Sequence, residues 1–312
     1  MKFSISSHPA KIFIGLFAFL ISVGSTFAQP RLAALETGTF PETWDQKNVD
    51  CDVDAEFQIH AYNHTFHILR QSRCISNQKP FLYLIFGSER ALLFDTGAVG
   101  DPPQESTVGK TVMALLEDWK TANEVSKYPL TVAHSHNHAD HVGGDRYFNN
   151  LVDVTVLRLG KKAVSEYFGL VDWPHKPAAF DLGDRVLDVL PIPGHDSASI
   201  AIYDRKTGIL LTGDSLLPGN IYTDGGLTAV RSSNQRLLDF LADKPVTHVL
   251  GGHIDYAAVP FKLAKPALVE HRLQLGRAHL LELQYELDKM EKKVVSTRLR
   301  DFRICRTFFY GC

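Results

Sequence analysis

Residues 135–144 read SHNHADHVGG and place three histidines and an aspartate between positions 136 and 141. They follow an apolar run at 130–133 that has the composition of a short strand. Basic rings held close together are costly to accommodate, whereas a divalent cation turns the same rings into ligands. The stretch therefore indicates a metal site at the end of a strand.

The spacing within this stretch divides its side chains into two groups. Alternate residues of an extended segment point to the same side, so His136 and His138 can bind one metal together. Asp140 and His141 can turn toward a second metal. The glycines that follow allow the backbone to turn sharply into the next helix.

The stretch resembles the HxHxDH signature of the metallo-β-lactamase superfamily, and four further markers follow the order typical of that superfamily. They are Asp95 in FDTG, His195 after Pro193-Gly194, Asp214 in TGDS and His253 at the end of VLGGH. The resemblance spans about residues 57–256. It implies an α/β fold of the αββα sandwich type, with metals at one edge of two packed sheets and, in this chain, a C-terminal helix.

The resemblance also implies a role for each marker. The implied ligands are His136, His138 and His195 for a first metal, Asp140, His141 and His253 for a second, and Asp214 as a bridge between them. Asp95 would support the ligand loop through hydrogen bonds that fix the orientation of a ring. The alternative for Asp95 is a turn carboxylate at the end of a strand.

Imidazole and carboxylate ligands favour two Zn²⁺ ions, with iron or manganese as alternatives. Two cations roughly 3.5–4 Å apart can share a hydroxide, because coordination lowers the pKa of bound water to about 7. Asp140 would orient that bridging hydroxide and later pass a proton to the leaving group. The resemblance thus predicts a metal-dependent hydrolase that cleaves an ester, thioester or lactone-like bond in a small molecule.

Position 214 separates the hypotheses about the substrate. β-Lactamases of this superfamily generally carry cysteine or serine there, whereas an aspartate resembles glyoxalase II and lactonases. A periplasmic metallo-β-lactamase that hydrolyses β-lactam amides remains the alternative. A further alternative is an oxidoreductase, a mono-iron persulfide dioxygenase, although such enzymes tend to lose part of the second site, which is complete here.

Two tyrosines follow the ligand positions closely and are candidates for the substrate pocket. Tyr222 lies shortly after Asp214, and Tyr256 shortly after His253. A phenol can hydrogen-bond to a developing oxyanion, and the alternative for each is packing in the core. We expect substrate specificity to lie in the loops at 97–106, 169–180 and 217–232.

The N-terminal residues have the features of a signal peptide. Lys2 and Lys11 precede an apolar run at 12–23 that is short for a bilayer span, and small residues at 26 and 28 suit a cleavage site. These N-terminal features predict a secreted or periplasmic protein that has no membrane span after the signal peptide is cleaved. An uncleaved anchor is the alternative.

Export would place all four cysteines in an oxidising compartment. Four cysteines permit two disulfides in three pairings, of which Cys51–Cys74 with Cys305–Cys312 is the most local.

The net charge of −2 gives no reason to expect a nucleic-acid partner, and a hydrophobic share of 45% suits a globular protein.

Hydrophobic patterning predicts the remaining organisation. The predicted strands are 81–86, 91–94, 130–133, 154–156, 186–190, 199–203, 209–212 and 246–250, and the predicted helices are 107–119, 161–168 and 233–241. An apolar stripe from Leu273 to Val294 predicts a long helix that packs on its own domain or mediates a homodimer. The predicted segments are a signal peptide at 1–28, a lead-in at 29–56, a metallo-β-lactamase-like domain at 57–260 and a C-terminal helical extension at 261–312.

Overall fold

The computed structural model describes residues 1–2, 4, 34–44, 50–100, 105–259, 262–263, 265, 269–307 and 312. The predicted signal peptide at 1–28 lies outside the described residues, except for positions 1, 2 and 4. The chain divides into the units Met1–Ala34 and Leu35–Cys312, and every helix and strand of the described residues belongs to the second unit. Within the described ranges, no helix has both the length and the apolar character that a bilayer span requires.

The first sheet has six strands in the order of the chain. They are β1 (Phe57–Asn63), β2 (Phe66–Gln71), β3 (Phe81–Phe86), β4 (Ala91–Phe94), β5 (Leu130–Ala133) and β6 (Val154–Val156). Strands β1 to β4 are antiparallel, whereas β4, β5 and β6 run parallel. The helix α1 (Val108–Ala122) makes the crossover from β4 to β5 that a parallel pair requires. Two helices, α2 (Ala139–Val142) and α3 (Lys161–Phe168), follow β5 and β6.

The second sheet also has six strands and is mostly antiparallel. Its strands are β7 (Ala178–Asp181), β8 (Val186–Pro191), β9 (Ile200–Asp204), β10 (Ile209–Gly213), β12 (His248–Gly251) and β13 (Gln274–Leu275), in the order β13-β12-β10-β9-β8-β7. The helix α4 (Gly226–Phe240) joins β10 to its parallel neighbour β12. A small third sheet contains β11 (Asn220–Tyr222), β14 (Thr297–Arg298) and β15 (Arg303–Cys305), and α5 (Arg277–Asp288) precedes its last two strands.

The two large sheets pack face to face, with helices on their outer faces. One buried cluster joins Ile68 and Leu92 of the first sheet to Val189 and Leu211 of the second. A second cluster packs α1 on the outer face of the first sheet, and a third packs α4 and α5 on the outer face of the second. This arrangement confirms the predicted αββα sandwich.

The predicted strands are all present, with ends that differ by one or two residues. The helix α4 begins at Gly226, well before the predicted start at 233. Its first turns are stabilised by the burial of Leu227 and Val230, and the spacing of residues in the sequence did not indicate this packing. The strands β1, β2, β7, β11 and β13 to β15 were not predicted individually, and most of them are too brief to carry a clear periodicity.

The C-terminal helix is shorter than its apolar stripe predicts. It covers Arg277–Asp288, because Gly276 is extended and Leu273 lies before the helix, next to strand β13. The stripe residues Leu280, Leu283 and Leu287 are buried in the cluster that also contains residues of α4. Because the chain itself covers this face, the structure gives no support to a homodimer through α5.

The four cysteines adopt the most local of the three pairings. Cys51 is bonded to Cys74, and Cys305 at the end of β15 is bonded to Cys312, with Cα–Cα distances of 5.5 and 4.9 Å.

A buried ion pair links the two large sheets. Arg185 is fully buried, and its Nε and Nη2 donate to the two carboxylate oxygens of Asp204 at 3.0 and 2.5 Å. Its Nη1 donates to the carbonyl and hydroxyl oxygens of Thr65, which precedes β2 in the other sheet. The guanidinium therefore satisfies acceptors from both layers.

Replacing Asp204 by asparagine (Asp204→Asn) would leave the Arg185 charge buried without a counter-ion. Because removing one partner of a buried pair costs about 3–5 kcal/mol, we expect a loss of this size in the free energy of unfolding, measured by urea denaturation. The matched control is Lys162→Met, which removes an exposed pair with Glu166 and should change the same quantity by less than about 0.5 kcal/mol. Equal effects of the two variants would contradict the structural role of Arg185.

Candidate metal centre

The seven predicted ligands converge at one edge of the sandwich. His136, His138, Asp140 and His141 lie directly after β5, and the remaining three lie after or at the ends of strands of the second sheet: His195 after β8, Asp214 after β10 and His253 after β12. Two separate sheets thus supply the cluster.

The first group contains His136, His138 and His195, whose ligand atoms lie within 4.8 Å of one another. His195 Nε2 is 3.0 Å from His138 Nδ1. The Nδ1 of His195 donates to the carbonyl oxygen of Tyr222 at 2.9 Å, which leaves Nε2 as the nitrogen with a free lone pair. His136 Nδ1 is 3.0 Å from the hydroxyl of Ser135, so its Nε2 also points into the group.

The second group contains Asp140, His141 and His253, again within 4.8 Å of one another. His253 Nε2 is 3.2 Å from both His141 Nε2 and Asp140 Oδ2. The outer nitrogens of both rings are engaged, because His253 Nδ1 donates to the Gln78 carbonyl and His141 Nδ1 donates to Asp95 Oδ2, each at 2.9 Å. Hydrogen bonds of this kind fix the tautomer and orientation of a ligand ring.

The carboxylate of Asp214 stands between the two groups. Its Oδ2 is 3.6 Å from His195 Nε2 and 4.0 Å from His136 Nε2. Its Oδ1 is 3.5 Å from the Nε2 atoms of both His141 and His253. One oxygen therefore faces each histidine group, which is the arrangement that a carboxylate shared by two cations requires.

Two atoms of the cluster are buried without a hydrogen-bond partner among the described residues. They are His136 Nε2 and Asp214 Oδ1. Leaving such polar atoms unpaired costs free energy, which a coordinated cation at this point would offset. Since imidazole nitrogen and carboxylate oxygen are also the donors that zinc accepts, the residues present fit a pair of divalent cations.

The electrostatics of the cluster favour positive charge at its centre. Burial alone would raise the pKa of Asp140, but the hydrogen bond and charge of His253 and the charge of His141 outweigh it and lower this pKa to about 2. Burial alone would lower the pKa of His253, but Asp214 and Asp140 raise it to about 9. The carboxylates of Asp140 and Asp214 are therefore ionised at neutral pH, whereas the His253 ring is protonated there and would release its proton when a cation binds.

Asp95 lies behind the ligand loop, where a supporting residue is expected. It follows β4 with a φ of +71°, a conformation that few residues other than glycine adopt. Its carboxylate accepts hydrogen bonds from the backbone N–H of Ser135 at 2.6 Å, from the Ser135 hydroxyl and from His141. One carboxylate thus positions both the start and the end of the histidine stretch.

Two glycines next to the expected ligands are required because neighbouring side chains leave no space for a Cβ atom. Gly213 has a φ of +50°, and a Cβ there would lie 2.5 Å from the Cβ of Ser135. A Cβ on Gly252 would lie 2.5 Å from Asp214 Oδ1 and 2.8 Å from a ring carbon of His141. A side chain at 213 would therefore displace Ser135, and one at 252 would displace Asp214 and His141.

A cavity of about 650 Å³ opens over the cluster. Its wall includes Tyr222, as predicted, together with Leu217, Asn220 and Asp224 of the predicted 217–232 loop. Tyr256 is buried, with 2% of its surface exposed, and does not line this cavity, so the expectation of a pocket role for it is not met.

Other wall residues were not anticipated from the sequence. The segment from Asn77 to Lys79 and Asp255 line the cavity, whereas the described residues of the 97–106 and 169–180 loops do not. The backbone carbonyl of Gln78 also accepts the hydrogen bond of His253 Nδ1, and no sequence motif reveals such a group. The position of Asp255, two residues after a ligand, was the one available signal for its place in the wall.

Comparison with known proteins identifies the family of the chain. The sequence model of the metallo-beta-lactamase superfamily matches residues 80–253. The acyl-coenzyme A thioesterase MBLAC2 of Homo sapiens is 26% identical over 214 residues, which cover 58% of this chain and 75% of that protein. A hydroxyacylglutathione hydrolase of Nostoc punctiforme is 25% identical over 144 residues, which cover 45% and 51% of the two chains.

Among solved structures, a metallo-beta-lactamase from Pontibacter korlensis has a TM-score of 0.49 and 17% identity, and the match covers 75% of this chain and 100% of that one. The family match carries the assignment, because it extends over more than half of the sequence and includes Asp95 and all seven expected ligand positions. The chain therefore belongs to the metallo-β-lactamase superfamily and is a hydrolase.

Proposed function

We propose that this hydrolase cleaves ester or thioester bonds at a dinuclear zinc centre held by the seven converging residues. The observation that carries the proposal is the carboxylate of Asp214, with one oxygen facing each histidine group at 3.5–4.0 Å. The bond class is supported by the two relatives, one a thioesterase and the other a hydroxyacylglutathione hydrolase.

The cations would supply the nucleophile, since two divalent ions lower the pKa of a coordinated water to about 7 and so provide hydroxide at neutral pH. The chain supplies the geometry. The carbonyls of Tyr222 and Gln78 hold the rings of His195 and His253, and Asp95 holds the ring of His141, so the ligand nitrogens are oriented before substrate enters.

Asp140 is the proposed catalytic residue because it belongs to both the cluster and the cavity. Its Oδ2 lies 3.2 Å from His253 Nε2, and its side chain forms part of the cavity wall with 20% of its surface exposed. A carboxylate at this boundary orients the attacking oxygen by accepting a hydrogen bond from it, and takes up its proton once the bond to the substrate carbonyl carbon has formed. It then delivers the proton to the departing thiolate or alkoxide.

Tyr222 is the proposed oxyanion partner. Burial raises the pKa of its phenol, so the group keeps its proton at neutral pH and can donate a hydrogen bond. Its side chain lines the cavity next to Asn220 and Asp224. A donor in this wall would stabilise the negative charge that develops on the substrate carbonyl oxygen.

The proposed location is secreted or periplasmic. Two disulfides are typical of proteins in oxidising compartments, and the N-terminal sequence has the charge and apolar run of an export signal.

The proposal is tested by quantifying metals in the purified protein and assaying a substrate panel under the same conditions. The panel contains S-lactoylglutathione, acyl-coenzyme A thioesters, aryl esters, lactones and the β-lactam nitrocefin. We expect about two zinc ions per chain and turnover of thioesters or esters well above that of nitrocefin. Preference for nitrocefin would instead support the β-lactamase alternative, and a single iron ion without hydrolysis would support the persulfide dioxygenase.

Replacing Asp140 by asparagine should reduce kcat by about 10²- to 10⁴-fold, because the variant retains the shape of the side chain but not its proton-accepting charge. Steady-state kinetics measures this effect, and circular dichroism checks that the fold is intact. Asp172→Asn, at an exposed position outside the cavity, is the matched control and should keep full activity. Near-normal turnover by Asp140→Asn would remove this residue from the mechanism.

Replacing Asp214 by alanine should weaken the binding of both metals, since the bridge between the two groups is lost. We expect the metal content after dialysis, measured by mass spectrometry, to fall from about two ions per chain to less than one. The control Asp224→Ala removes a cavity carboxylate outside the ligand cluster and should retain the full content. Full occupancy in Asp214→Ala would refute the bridging role.

A further inference from the structure

A second cavity of about 280 Å³ lies away from the metal centre and shares no lining residue with the first. The residues before β7, the end of β8 and the last turns of α4 form its walls. Its lining consists of Pro174, His175, Pro177, Leu190, Pro191, Ile192, Arg236, Leu237, Asp239 and Phe240. The volume corresponds to about nine water molecules, which is enough for a small organic ligand.

Most of this lining is apolar and belongs to rigid elements. Leu190, Ile192 and Leu237 are buried members of the cluster between the second sheet and α4. Pro174 and Pro177 restrict the backbone on the remaining side. The cavity is therefore preformed and suits the hydrocarbon part of a ligand.

Arg236 places a positive charge in this apolar wall. Its Nη2 donates to the hydroxyl of Ser233 at 2.7 Å, and that hydroxyl donates to the Pro193 carbonyl at 2.6 Å, so the guanidinium is anchored. Its Nε is buried and has no hydrogen-bond partner among the described residues. A charged group in an apolar wall costs free energy that an anionic ligand would offset.

No carboxylate of the described chain neutralises this arginine. Burial lowers the pKa of Arg236, and no acidic group opposes that shift. Asp239 also lines the cavity, but its Oδ1 already accepts a hydrogen bond from Gln235 Nε2 at 2.7 Å. His175 is exposed in the same wall and adds an imidazole on the side opposite α4.

We propose that this cavity binds a small monocarboxylate with an apolar body, the size of octanoate. The carboxylate would pair with the guanidinium of Arg236, because the planar fork of arginine matches the two oxygens of a carboxylate. The hydrocarbon part would lie against Leu190, Ile192 and the prolines. A multiply charged anion fits less well, since the wall offers one guanidinium and also carries the Asp239 carboxylate.

The test is calorimetric titration of the metal-loaded protein with three probes of equal length: octanoate, octan-1-ol and octylammonium. We expect one saturable site for octanoate and affinities at least about 10-fold weaker for the two probes that lack the carboxylate. Equal binding of octanol and octanoate would overturn the proposal, because it would show that the guanidinium does not recognise the ligand.

Two variants locate the binding. Arg236→Gln removes the charge, and His175→Glu places a carboxylate at an exposed position of the wall, where folding does not depend on the side chain. Each should weaken octanoate binding about 10- to 100-fold, whereas Arg300→Gln, which removes an arginine with 79% of its side chain exposed elsewhere, should leave it unchanged. Octanoate can also coordinate metal ions. Binding that survives both variants but disappears in Asp214→Ala would therefore belong to the metal centre and would overturn the proposal.

Discussion

The carboxylate of Asp214 between two sets of imidazole nitrogens is the interaction on which the rest of the site depends. Its two oxygens lie 3.5–4.0 Å from the ring nitrogens on either side, and one of them is buried without a hydrogen-bond partner among the described residues. Burying a carboxylate oxygen without a partner costs free energy, which a bound cation would offset. The surrounding carbonyls and the Asp95 carboxylate hold the rings from outside, so the inner nitrogens would be available to a cation.

This constraint also explains why the site lies at an edge of the sandwich. The loop after β5 in the first sheet supplies His136, His138, Asp140 and His141, whereas the second sheet supplies His195, Asp214 and His253. Neither sheet holds a complete ligand group alone, because each group contains residues from both. Packing of the sheets through their shared buried cluster therefore creates the site, and metal binding would in turn stabilise that packing.

The sequence predicted that these seven residues lie close together, because their positions follow the ends of strands, and their binding of metal stays a prediction. It could not predict the Gln78 and Tyr222 carbonyls that orient His253 and His195, since a backbone group carries no signature in the residue type. It offered Tyr256 as a candidate for the pocket with core packing as the alternative, and the structure buries that side chain. The length of α5 was overestimated for a related reason: apolar residues at helical spacing continue beyond a helix when neighbouring strands and loops also need core contacts.

The short motifs of the chain each contain a residue whose backbone conformation or small size the site requires. In FDTG the aspartate takes a strained backbone conformation with φ of +71°, which directs its carboxylate at Ser135 and His141. In TGDS and GGH the glycines at 213 and 252 leave room that a Cβ would take from Ser135 and Asp214. Each motif thus combines one chemical group with the backbone freedom or space that brings this group to the cluster. For this reason the motifs, which are far apart in the sequence, are compatible with one another only in this fold.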